Sequence, residues 1–347
     1  MRLLLFTPND NTGGTERVSA VYAHSLASTG IHIRVCSIFK PLDAYDATEY
    51  PFLHFSLYLS RVSRLFRPLY LYLALCYFGC RGYILFIQGE YPAAISYFLP
   101  FKVFIRVTNL PDLLKERQPL LYRLFIKSLR KNICIFPSKY FQNIFPVRVP
   151  RTSVLPNPFP SSNLPAFSPK SVDSPLKFIA VGQYNYQKNH EFMISAFSSY
   201  VNRHSLSSQL FIYGEGPFRD KLASLIASLG MSQHIFLMGW SSYPWSDNSF
   251  DFHLLTSRWE GYPNVIVESC FYRIPTLSLL IPPGIHSLIN DNGIGLSSYD
   301  NSLESYISLL SKASTKLRSE FSTSSRFDDF VSLHSPDLLI STINSYV

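Results

Sequence analysis

Two glutamates eight positions apart flank a turn in the stretch "SRWEGYPNVIVESC", residues 257–270. Glycine, proline and asparagine explain the turn itself, because all three are typical of turns. They do not explain Glu260 before the turn and Glu268 after it. An ionised carboxylate only accepts hydrogen bonds and can take two neighbouring hydroxyl donors at once. The pair therefore suits a ligand rich in hydroxyl groups. The alternative is ordinary surface charge at a turn and a helix start.

The elements that must position these glutamates belong to a series of alternating strands and helices. Residues 1–39 contain the strand "RLLLFTP", a glycine loop, the helix "SAVYAHSLASTG" and the strand "IHIRVCSIF". Such a βαβ unit predicts a parallel sheet. The series continues with a helix over 55–79, a strand over 83–88, the strand "FKVFIRV", a helix over 113–131 and the strand "NICIFPS".

A change of composition predicts a domain boundary in the middle of the chain. The stretch "VLPNPFPSSNLPAFSPKSVDSP", residues 154–175, contains six prolines. Through Lys170 the chain has 20 Lys and Arg against 8 Asp and Glu (+12), and the remainder has 11 against 15 (−4), which gives the net charge of +8. We therefore expect an N-terminal domain over 1–160, a Pro/Ser-rich linker over 161–175 and a C-terminal domain over 176–347.

The C-terminal domain repeats the alternation, from the strand "LKFIAVG" to the strand "PTLSLL". Both domains are therefore predicted to be α/β, doubly wound and Rossmann-like, with a cleft between them. In open α/β sheets, ligands bind beyond the carboxyl ends of the strands, at helix N-termini. Glu260 follows the strand "FDFHLLTS", and Glu268 lies about one turn into the next helix. Both are therefore expected to point at the cleft.

Composition excludes several other classes of protein. With 47% hydrophobic and 16% charged residues, the chain is too apolar to be disordered. The five cysteines form no Cys-x-x-Cys pair, which favours reduced thiols in a cytoplasmic protein. The N-terminal apolar run is too short for a signal peptide, and "LYLYLALCYFGC", residues 69–80, is too short to span a bilayer.

The basic, aromatic-rich first half is expected to meet an anionic surface. Residues 61–67, "RVSRLFR", place arginine at every third position among apolar residues. The pattern predicts either a basic amphipathic patch, which suits peripheral binding at the inner face of the plasma membrane, or a solvated helix face. A core helix over 57–79 is a further alternative. Nucleic acid is not an expected partner, because the basic half carries no recognition motif.

Six stretches of the sequence resemble motifs of a known enzyme family. In order, they are "GGTERV", "VLPNPF", "VGQYNYQKNHEFMISAF", "IYGEGPFRDKL", "IFLMGW" and "DFHLLTSRWEGYPNVIVESCFYRIP". Their order and spacing resemble the glycosyltransferases of family four, which have the GT-B fold. The resemblance implies retaining transfer of a sugar from a nucleotide diphosphate sugar, with UDP favoured over GDP. A glycan or lipid-linked saccharide acceptor, as in lipopolysaccharide or polysaccharide synthesis, fits the basic first half.

The resemblance also implies roles for individual residues. It places Glu260 at the donor sugar as a catalytic residue, and it makes Glu268 an acceptor for the ribose hydroxyls. Lys188 matches a diphosphate-binding lysine, whereas Gln183 stands where the family has an arginine. One cation is therefore missing at the leaving group, and Arg258 is a candidate to replace it. The other predicted donor-binding residues are Gly13, Gly14, Gly214, Gly239, Trp240, Gly261, Tyr262, Pro263, Asn264 and Val265.

Members of the family often carry a histidine or an acid after the fourth strand of the first domain. Here "IQGEYP" offers Glu90, the second catalytic candidate, and "RVTNLPD" offers Arg106, Asn109 and Asp112. No Asp-x-Asp motif is present, so neither a metal nor another cofactor is expected. The missing arginine leaves a second function open, that of a catalytically impaired glycosyltransferase-like binding or scaffold protein. A dehydrogenase is disfavoured, because Gly-x-Gly-x-x-Gly is absent after the first strand.

Overall fold

The computed structural model describes residues 1–7, 14–27, 29–38, 54–107, 112–159, 175–204, 207–241, 244–245, 249–281, 284–313 and 315–347. The chain divides into two compact units. The first comprises Met1–Ser161 together with Leu333–Val347, and the second comprises Ser162–Ser332. The predicted linker, 161–175, lies outside the described residues except for Pro175.

A seven-stranded parallel sheet forms the centre of the first unit. Its strands are β1 (Arg2–Thr7), β2 (His32–Ser37), β3 (His54–Ser56), β4 (Ile84–Gln88), β5 (Phe104–Arg106), β6 (Ile133–Phe136) and β7 (Thr152–Val154). Their order in the sheet is β3-β2-β1-β4-β5-β6-β7. The helices are α1 (Gly14–Ala27), α2 (Arg67–Cys80), α3 (Glu90–Ile95), α4 (Asp112–Arg117), α5 (Pro119–Lys131) and α6 (Lys139–Ile144). The strand order turns back between β1 and β4, which makes the sheet doubly wound.

The alternation of side chains along β1 creates one core on each face of this sheet. Leu4 and Phe6 belong to the core that also contains Leu71 and Leu75 of α2. Leu3 and Leu5 belong to the opposite core, together with residues of α1. Because both faces are covered, the strands are continuously apolar rather than alternating, as parallel sheets require.

Two predicted helices of the first unit are wrong in their extent. The segment 55–79 contains the end of β3 and a short 3-10 turn before α2 begins at Arg67. Tyr58 adopts a left-handed backbone (φ 51°), which interrupts helical geometry, and Pro68 fits the first turn of α2. The helix predicted over 113–131 is divided into α4 and α5 at Gln118, because the following proline disfavours a helical residue before it.

The second unit is built on a six-stranded parallel sheet. Its strands are β8 (Lys177–Val181), β9 (Gln209–Tyr213), β10 (Ile235–Gly239), β11 (Phe252–Leu255), β12 (Thr276–Ser278) and β13 (Gly295–Ser297). Their order is β10-β9-β8-β11-β12-β13, which turns back between β8 and β11. The helices are α7 (His190–His204), α8 (Arg219–Ser228), α9 (Asn264–Phe271), α10 (Ile285–Asp291), α11 (Leu303–Leu310), α12 (Thr315–Ser322) and α13 (Arg326–Ser332). The predicted fold class, α/β with two doubly wound sheets, is confirmed.

The end of the chain packs with the first unit, although the sequence assigned it to the C-terminal domain. Helix α14 (Leu338–Asn344) buries Leu339 and Ile343 in the core that contains Leu3 and Leu5. The Tyr346 hydroxyl donates a hydrogen bond to the Thr152 carbonyl at 2.7 Å. The apolar face of a helix shows in the sequence, but the sheet that the face covers does not. Among the described residues, no helix is both long enough and apolar enough to cross a membrane.

Candidate functional site

Three glycines meet at the carboxyl edge of the second sheet. Gly182 follows β8, Gly214 follows β9 and Gly239 ends β10. The N–H of Gly214 donates to the Gly239 carbonyl at 2.8 Å, and the N–H of Gly182 donates to the Tyr213 carbonyl at 2.9 Å. A Cβ added to Gly214 would lie 2.0 Å from the Gly182 carbonyl oxygen, and its φ of +150° is rare for other residues. The loops therefore pack backbone to backbone, which only glycine permits.

Lys188 lies two residues before α7 and packs on the first of these loops. Its stem carbons Cγ, Cδ and Cε lie 3.2 Å from the position of a Cβ on Gly182. Its N–H donates to Asn185 Oδ1 at 3.1 Å, and its carbonyl accepts from Thr256 Oγ1 at 3.3 Å. Its ammonium donates to Glu260 Oε1 at 2.6 Å. The structure thus brings the predicted lysine and the first predicted glutamate into direct contact.

Glu260 is a buried carboxylate, only 7% exposed. Ser257 Oγ donates to its Oε1 at 2.6 Å, so this one oxygen holds both the serine and the Lys188 ammonium. Within the part of the chain that the structure describes, Oε2 accepts no hydrogen bond. A buried ion pair adds little stability, because desolvation offsets the attraction. The arrangement instead fixes the carboxylate and leaves one oxygen for hydroxyl donors. Sequence reasoning missed Ser257, although it lies three residues before Glu260.

The second predicted glutamate is fixed by a tryptophan that sequence reasoning also missed. Glu268 lies in α9 and is 3% exposed, and its Oε2 accepts from the indole N–H of Trp245 at 2.8 Å. The Trp245 ring packs edge-on against His253, with the ring centroids 5.2 Å apart. In the sequence, Trp245 lies in the polar stretch "SSYPWSDNSF". No spacing rule links that stretch to α9, so no sequence signal was present to identify the contact.

Two buried histidines lie within electrostatic range of the Lys188 ammonium. Burial, assisted by the Lys188 charge, lowers the pKa of His190 and of His253 to about 3. Both imidazoles are therefore neutral at neutral pH. The charge on Lys188 consequently has Glu260 as its hydrogen-bonded counter-charge, without competing histidine cations.

The position of the missing family arginine is occupied by an exposed and uncharged side chain. Gln183 accepts a hydrogen bond from Asn185 Nδ2 at 3.2 Å through its amide oxygen. Arg258, the candidate replacement, stacks on Tyr186, with its guanidinium carbon 4.2 Å from the ring centroid. Its N–H donates to the Gln187 carbonyl at 2.7 Å. Arg258, in the loop after β11, therefore packs against the loop that precedes α7 and carries Lys188.

Another cation missed in the sequence lies at the far end of the same edge. Arg219 Nη1 donates to Glu215 Oε1 at 2.8 Å and lies 3.9 Å from the position of a Cβ on Gly239. Trp240, which follows Gly239 in the sequence, is 66% exposed. An exposed indole beside a glycine suits stacking on a planar base. The predicted role of Gly239 and Trp240 in donor binding stays a prediction.

The start of α9 carries the remaining predicted donor-binding residues of this unit. Gly261, Tyr262 and Pro263 precede the helix, and Asn264 and Val265 are its first two residues. The N-cap residue, Pro263, makes no side-chain capping bond, and the described first turn contains no acidic residue. The helix dipole therefore presents a positive end that no acidic residue of its own first turn offsets, as an anion site requires.

The candidates in the first unit lie mostly at the ends of strands or the starts of helices. Glu90 is the first residue of α3, Gly14 of α1 and Asp112 of α4. Arg106 ends β5 and is buried, and it donates to the Leu155 carbonyl at 3.2 Å and to Asn157 Oδ1. Gly13 and Asn109 lie outside the described residues.

Metal-ligating side chains do not cluster in the described ranges. No group of three or more His, Cys, Asp and Glu residues there could hold a metal ion.

Comparison with known proteins identifies a domain that spans this site. Residues 166–326 match the family described as Glycosyl transferases group 1. A 122-residue segment is 30% identical to N-acetylgalactosamine-N,N'-diacetylbacillosaminyl-diphospho-undecaprenol 4-alpha-N-acetylgalactosaminyltransferase of Campylobacter jejuni, over 35% of this chain and 32% of that protein. The matched segments span about a third of the length of the first curated relatives.

Solved structures share the fold over the whole chain. The apo lipopolysaccharide outer core galactosyltransferase WaaB superposes with a TM-score of 0.76 at 17% identity, over 100% of both chains. Anabaena Alr3699/HepE in complex with UDP and glucose superposes with a TM-score of 0.78 at 14% identity, over 99% of this chain and 100% of that one. Residues 166–326 are therefore similar to the glycosyl transferases group 1 family, and the two doubly wound sheets of the chain have the GT-B fold.

Proposed function

We propose that the protein is a retaining glycosyltransferase that moves a sugar from a nucleotide diphosphate sugar to a glycan or lipid-linked saccharide in surface polysaccharide synthesis. One observation carries the proposal: Glu260 is buried and tied through one oxygen to Lys188 and Ser257. It lies in a domain of the glycosyl transferases group 1 family. A fixed acceptor oxygen beside a cation suits a ligand that combines hydroxyl groups with phosphate.

The charge balance of the reaction gives Lys188 its role. The bond between the anomeric carbon and the phosphate oxygen breaks, and the acceptor hydroxyl oxygen takes its place on the same face of the sugar. The hydroxyl proton passes to the departing diphosphate or to solvent. Negative charge therefore develops on the departing nucleoside diphosphate. A preorganised cation at that position stabilises the transition state. Lys188 supplies this cation, and the N–H groups at the start of α9 supply uncharged donors.

Glu268 is proposed to accept hydrogen bonds from the ribose hydroxyls. Its contact with Trp245 fixes the carboxylate in the helix behind the phosphate-binding turn. UDP is the proposed nucleotide, with GDP as the alternative. The structural relatives described as complexes with UDP, from Anabaena and from Staphylococcus aureus, support this choice.

The acceptor proposal draws on the named relatives and on charge. The Campylobacter jejuni relative is named for a diphospho-undecaprenol-linked saccharide. The residues through Lys170 carry an excess of positive charge, with 20 Lys and Arg against 8 Asp and Glu. We therefore place the protein in the cytoplasm, at an anionic membrane face that presents a lipid-linked saccharide.

The decisive experiment measures thermal stabilisation by UDP, GDP, ADP and CMP. A ligand at about 100 times its dissociation constant adds roughly 2.7 kcal/mol, which raises the unfolding midpoint by a few degrees. Stabilisation by one nucleoside diphosphate is expected in the wild type and in Glu304→Ala, and its loss is expected in Glu268→Ala. Glu304 is a matched control, because it forms an exposed ion pair with Arg203 on the same unit. Equal stabilisation of both variants would remove the assignment of Glu268.

Three further statements belong to the proposal and have separate tests. Transfer is expected to need no metal, so EDTA should leave the transfer rate unchanged. A loss of transfer that Mg²⁺ restores would contradict this expectation.

The anomeric configuration is expected to be retained, which NMR of the early product measures. Glu90 is proposed to assist from the first unit, so Glu90→Gln should slow transfer without weakening nucleotide binding.

One observation favours a second candidate function, that of an impaired glycosyltransferase-like binding protein. Gln183 leaves the diphosphate without the family arginine, and Arg258 is engaged on the Tyr186 ring. In that case, nucleotide binding persists while transfer to every acceptor is absent. In that case the wild type transfers no sugar, and Gln183→Arg should create a measurable transfer rate. If the wild type is active, the same substitution only changes a transfer rate that is already measurable.

A further inference from the structure

The outer side of α2 exposes a row of large apolar side chains. Leu69, Leu73 and Tyr77 recur at every fourth position, which places them on one side of the helix. They are 56%, 55% and 51% exposed. Tyr70 lies beside them, and Leu65 and Phe66 continue the row in the preceding turn, with Leu65 80% exposed. Exposed apolar side chains are ordinary when scattered singly, but a contiguous row indicates an interaction site.

This row is not an incompletely packed core. The opposite side of α2 buries Leu71 and Leu75 completely, in the core beneath the sheet face that contains Leu4 and Phe6. The helix is therefore anchored to the first unit by one side and apolar on the other. A helix that is apolar all round is normally buried in protein or in contact with lipid. The core-helix interpretation of this segment therefore holds for one side of α2 only, and membrane binding by the other side stays a prediction.

The charges in the stretch of sequence that carries α2 have a single sign. Between Glu49 and Glu90 the sequence contains no acidic residue, whereas it contains four arginines, Arg61, Arg64, Arg67 and Arg81. Arg61 and Arg64 are exposed before the helix, and Arg81 is exposed just after it. Arg81 stacks on Tyr77 with its guanidinium carbon 4.5 Å from the ring centroid. The apolar row therefore has cations at both ends.

We propose that this surface docks on an anionic lipid bilayer. We call it the α2 face, and its residues are Leu65, Phe66, Leu69, Tyr70, Leu73 and Tyr77 with Arg61, Arg64 and Arg81. The apolar row enters the boundary between headgroups and acyl chains, and the arginines pair with lipid phosphates. Tyrosine side chains suit that boundary, because each has an apolar ring and a polar tip.

The charge pattern selects the bilayer over a second copy of the chain. A symmetric dimer through this face would bring the same patch of each copy together, and so would place arginines near arginines without an acidic partner. An anionic membrane instead neutralises every arginine. The inference deepens the membrane part of the proposed function and does not depend on the transfer chemistry.

Vesicle co-sedimentation tests the proposal. The wild type is expected to bind vesicles of phosphatidylcholine with phosphatidylglycerol and to be released by high salt, because salt screens the arginines. The double variant Leu69→Glu with Leu73→Glu should bind at least about tenfold more weakly, because it removes buried apolar area and adds repelled charge. Arg61→Gln with Arg64→Gln should weaken binding by roughly tenfold.

Matched variants separate the α2 face from general effects of charge. Leu333→Glu changes a leucine that is 51% exposed in the segment 333–347, whose helix packs on the opposite sheet face. Lys312→Gln removes an exposed charge from the second unit. Both should bind vesicles as the wild type does. Equal binding by all variants, or equal binding to pure phosphatidylcholine, would overturn the proposal.

Two additional measurements distinguish this result from the other proposals. The α2 variants should keep the wild-type thermal shift with UDP, which shows that they are folded. If the protein bound vesicles but no nucleotide raised its unfolding midpoint, the proposed function would be contradicted and the proposal for the α2 face would stand. Light scattering gives the oligomeric state, and a dimer that dissociates in Leu69→Glu with Leu73→Glu and ignores vesicles would assign the face to a second copy instead.

Discussion

The carboxyl edge of the second sheet and the α2 face of the first unit depart from ordinary burial in opposite directions. At the sheet edge the protein buries charge, with Glu260 7% and Glu268 3% exposed. On α2 it exposes apolar surface, with Leu65 80% exposed. Neither arrangement gives the most stable fold, because buried charge loses hydration and exposed apolar area forgoes burial. The comparison teaches that the buried charges suit a small polar ligand and the exposed apolar row suits a broad surface.

The largest expected effect tests the buried charge directly. Glu260→Gln removes the carboxylate that pairs with Lys188 while keeping the side-chain shape. We expect kcat for sugar transfer to fall by roughly 100-fold to 1,000-fold, as for the loss of one preorganised electrostatic contact. Glu304→Gln is the control, because its ion pair with Arg203 is exposed and should contribute little. Transfer by Glu260→Gln within twofold of the wild type would make the pair structural only.

The next effect sharpens the contrast between the two sides of α2. Leu75→Ala empties a fully buried position and should lower the free energy of unfolding by about 2–5 kcal/mol. Leu73→Ala, two residues away and 55% exposed, should change it by less than about 0.5 kcal/mol. Urea unfolding of both variants measures the difference. If the two losses were similar, the exposed row would be part of the core in solution.

A pH effect follows from the buried histidines beside the sheet edge. The folded-state pKa values of His190 and His253, about 3, lie below the ordinary value of 6.5. The unfolded chain therefore binds more protons than the folded chain between these two pKa values. The free energy of unfolding that each neutral histidine contributes is fully present above pH 6.5 and is lost as the pH falls toward 3. Each histidine should contribute roughly 1.4 kcal/mol per pH unit in that window.

Urea unfolding between pH 7 and pH 5 measures this slope. His253→Asn should be less stable at pH 7 and should show a shallower slope than the wild type. If the free energy of unfolding of His253→Asn depended on pH as in the wild type, His253 would take up its proton in the folded protein as it does in the unfolded chain. The inference that His253 stays neutral beside Lys188 would then be wrong.

The smallest expected effect tests the link between Trp245 and Glu268. Trp245→Phe keeps a buried aromatic ring and removes the indole N–H that holds the carboxylate. The dissociation constant of the nucleoside diphosphate should rise about tenfold, because a hydrogen bond to a charged group is lost. Discrimination against an analogue that lacks the ribose hydroxyls should also decrease. A weaker affinity with unchanged discrimination would indicate a general packing defect instead of a positioning role.

The fold could be predicted well where local signals were strong. The alternation of strands and helices in the second unit was correct, because apolar runs bounded by glycine and proline loops are local features. The segment 55–79 was predicted less well, because a single left-handed residue, Tyr58, and a strand as short as β3 leave no hydrophobic periodicity in the sequence. The assignment of the last residues, 333–347, to the C-terminal domain was also wrong, because an apolar helix face fits either sheet.

Within the candidate site, the sequence by itself determined which groups can act. The spacing of Glu260 and Glu268 around a turn is a local pattern with a chemical meaning, whereas Lys188 was predicted from its match to a family motif. Only the tertiary structure decided that Lys188 and Ser257 share one oxygen of Glu260, and that Trp245 holds Glu268. The physical reason is that parallel strands are joined by long crossovers, so residues distant in sequence meet at one sheet edge only after the chain has folded. The same holds for α2. Its apolar pattern was visible in the sequence, but only the packing of one side of the helix on the sheet decided which side stays exposed.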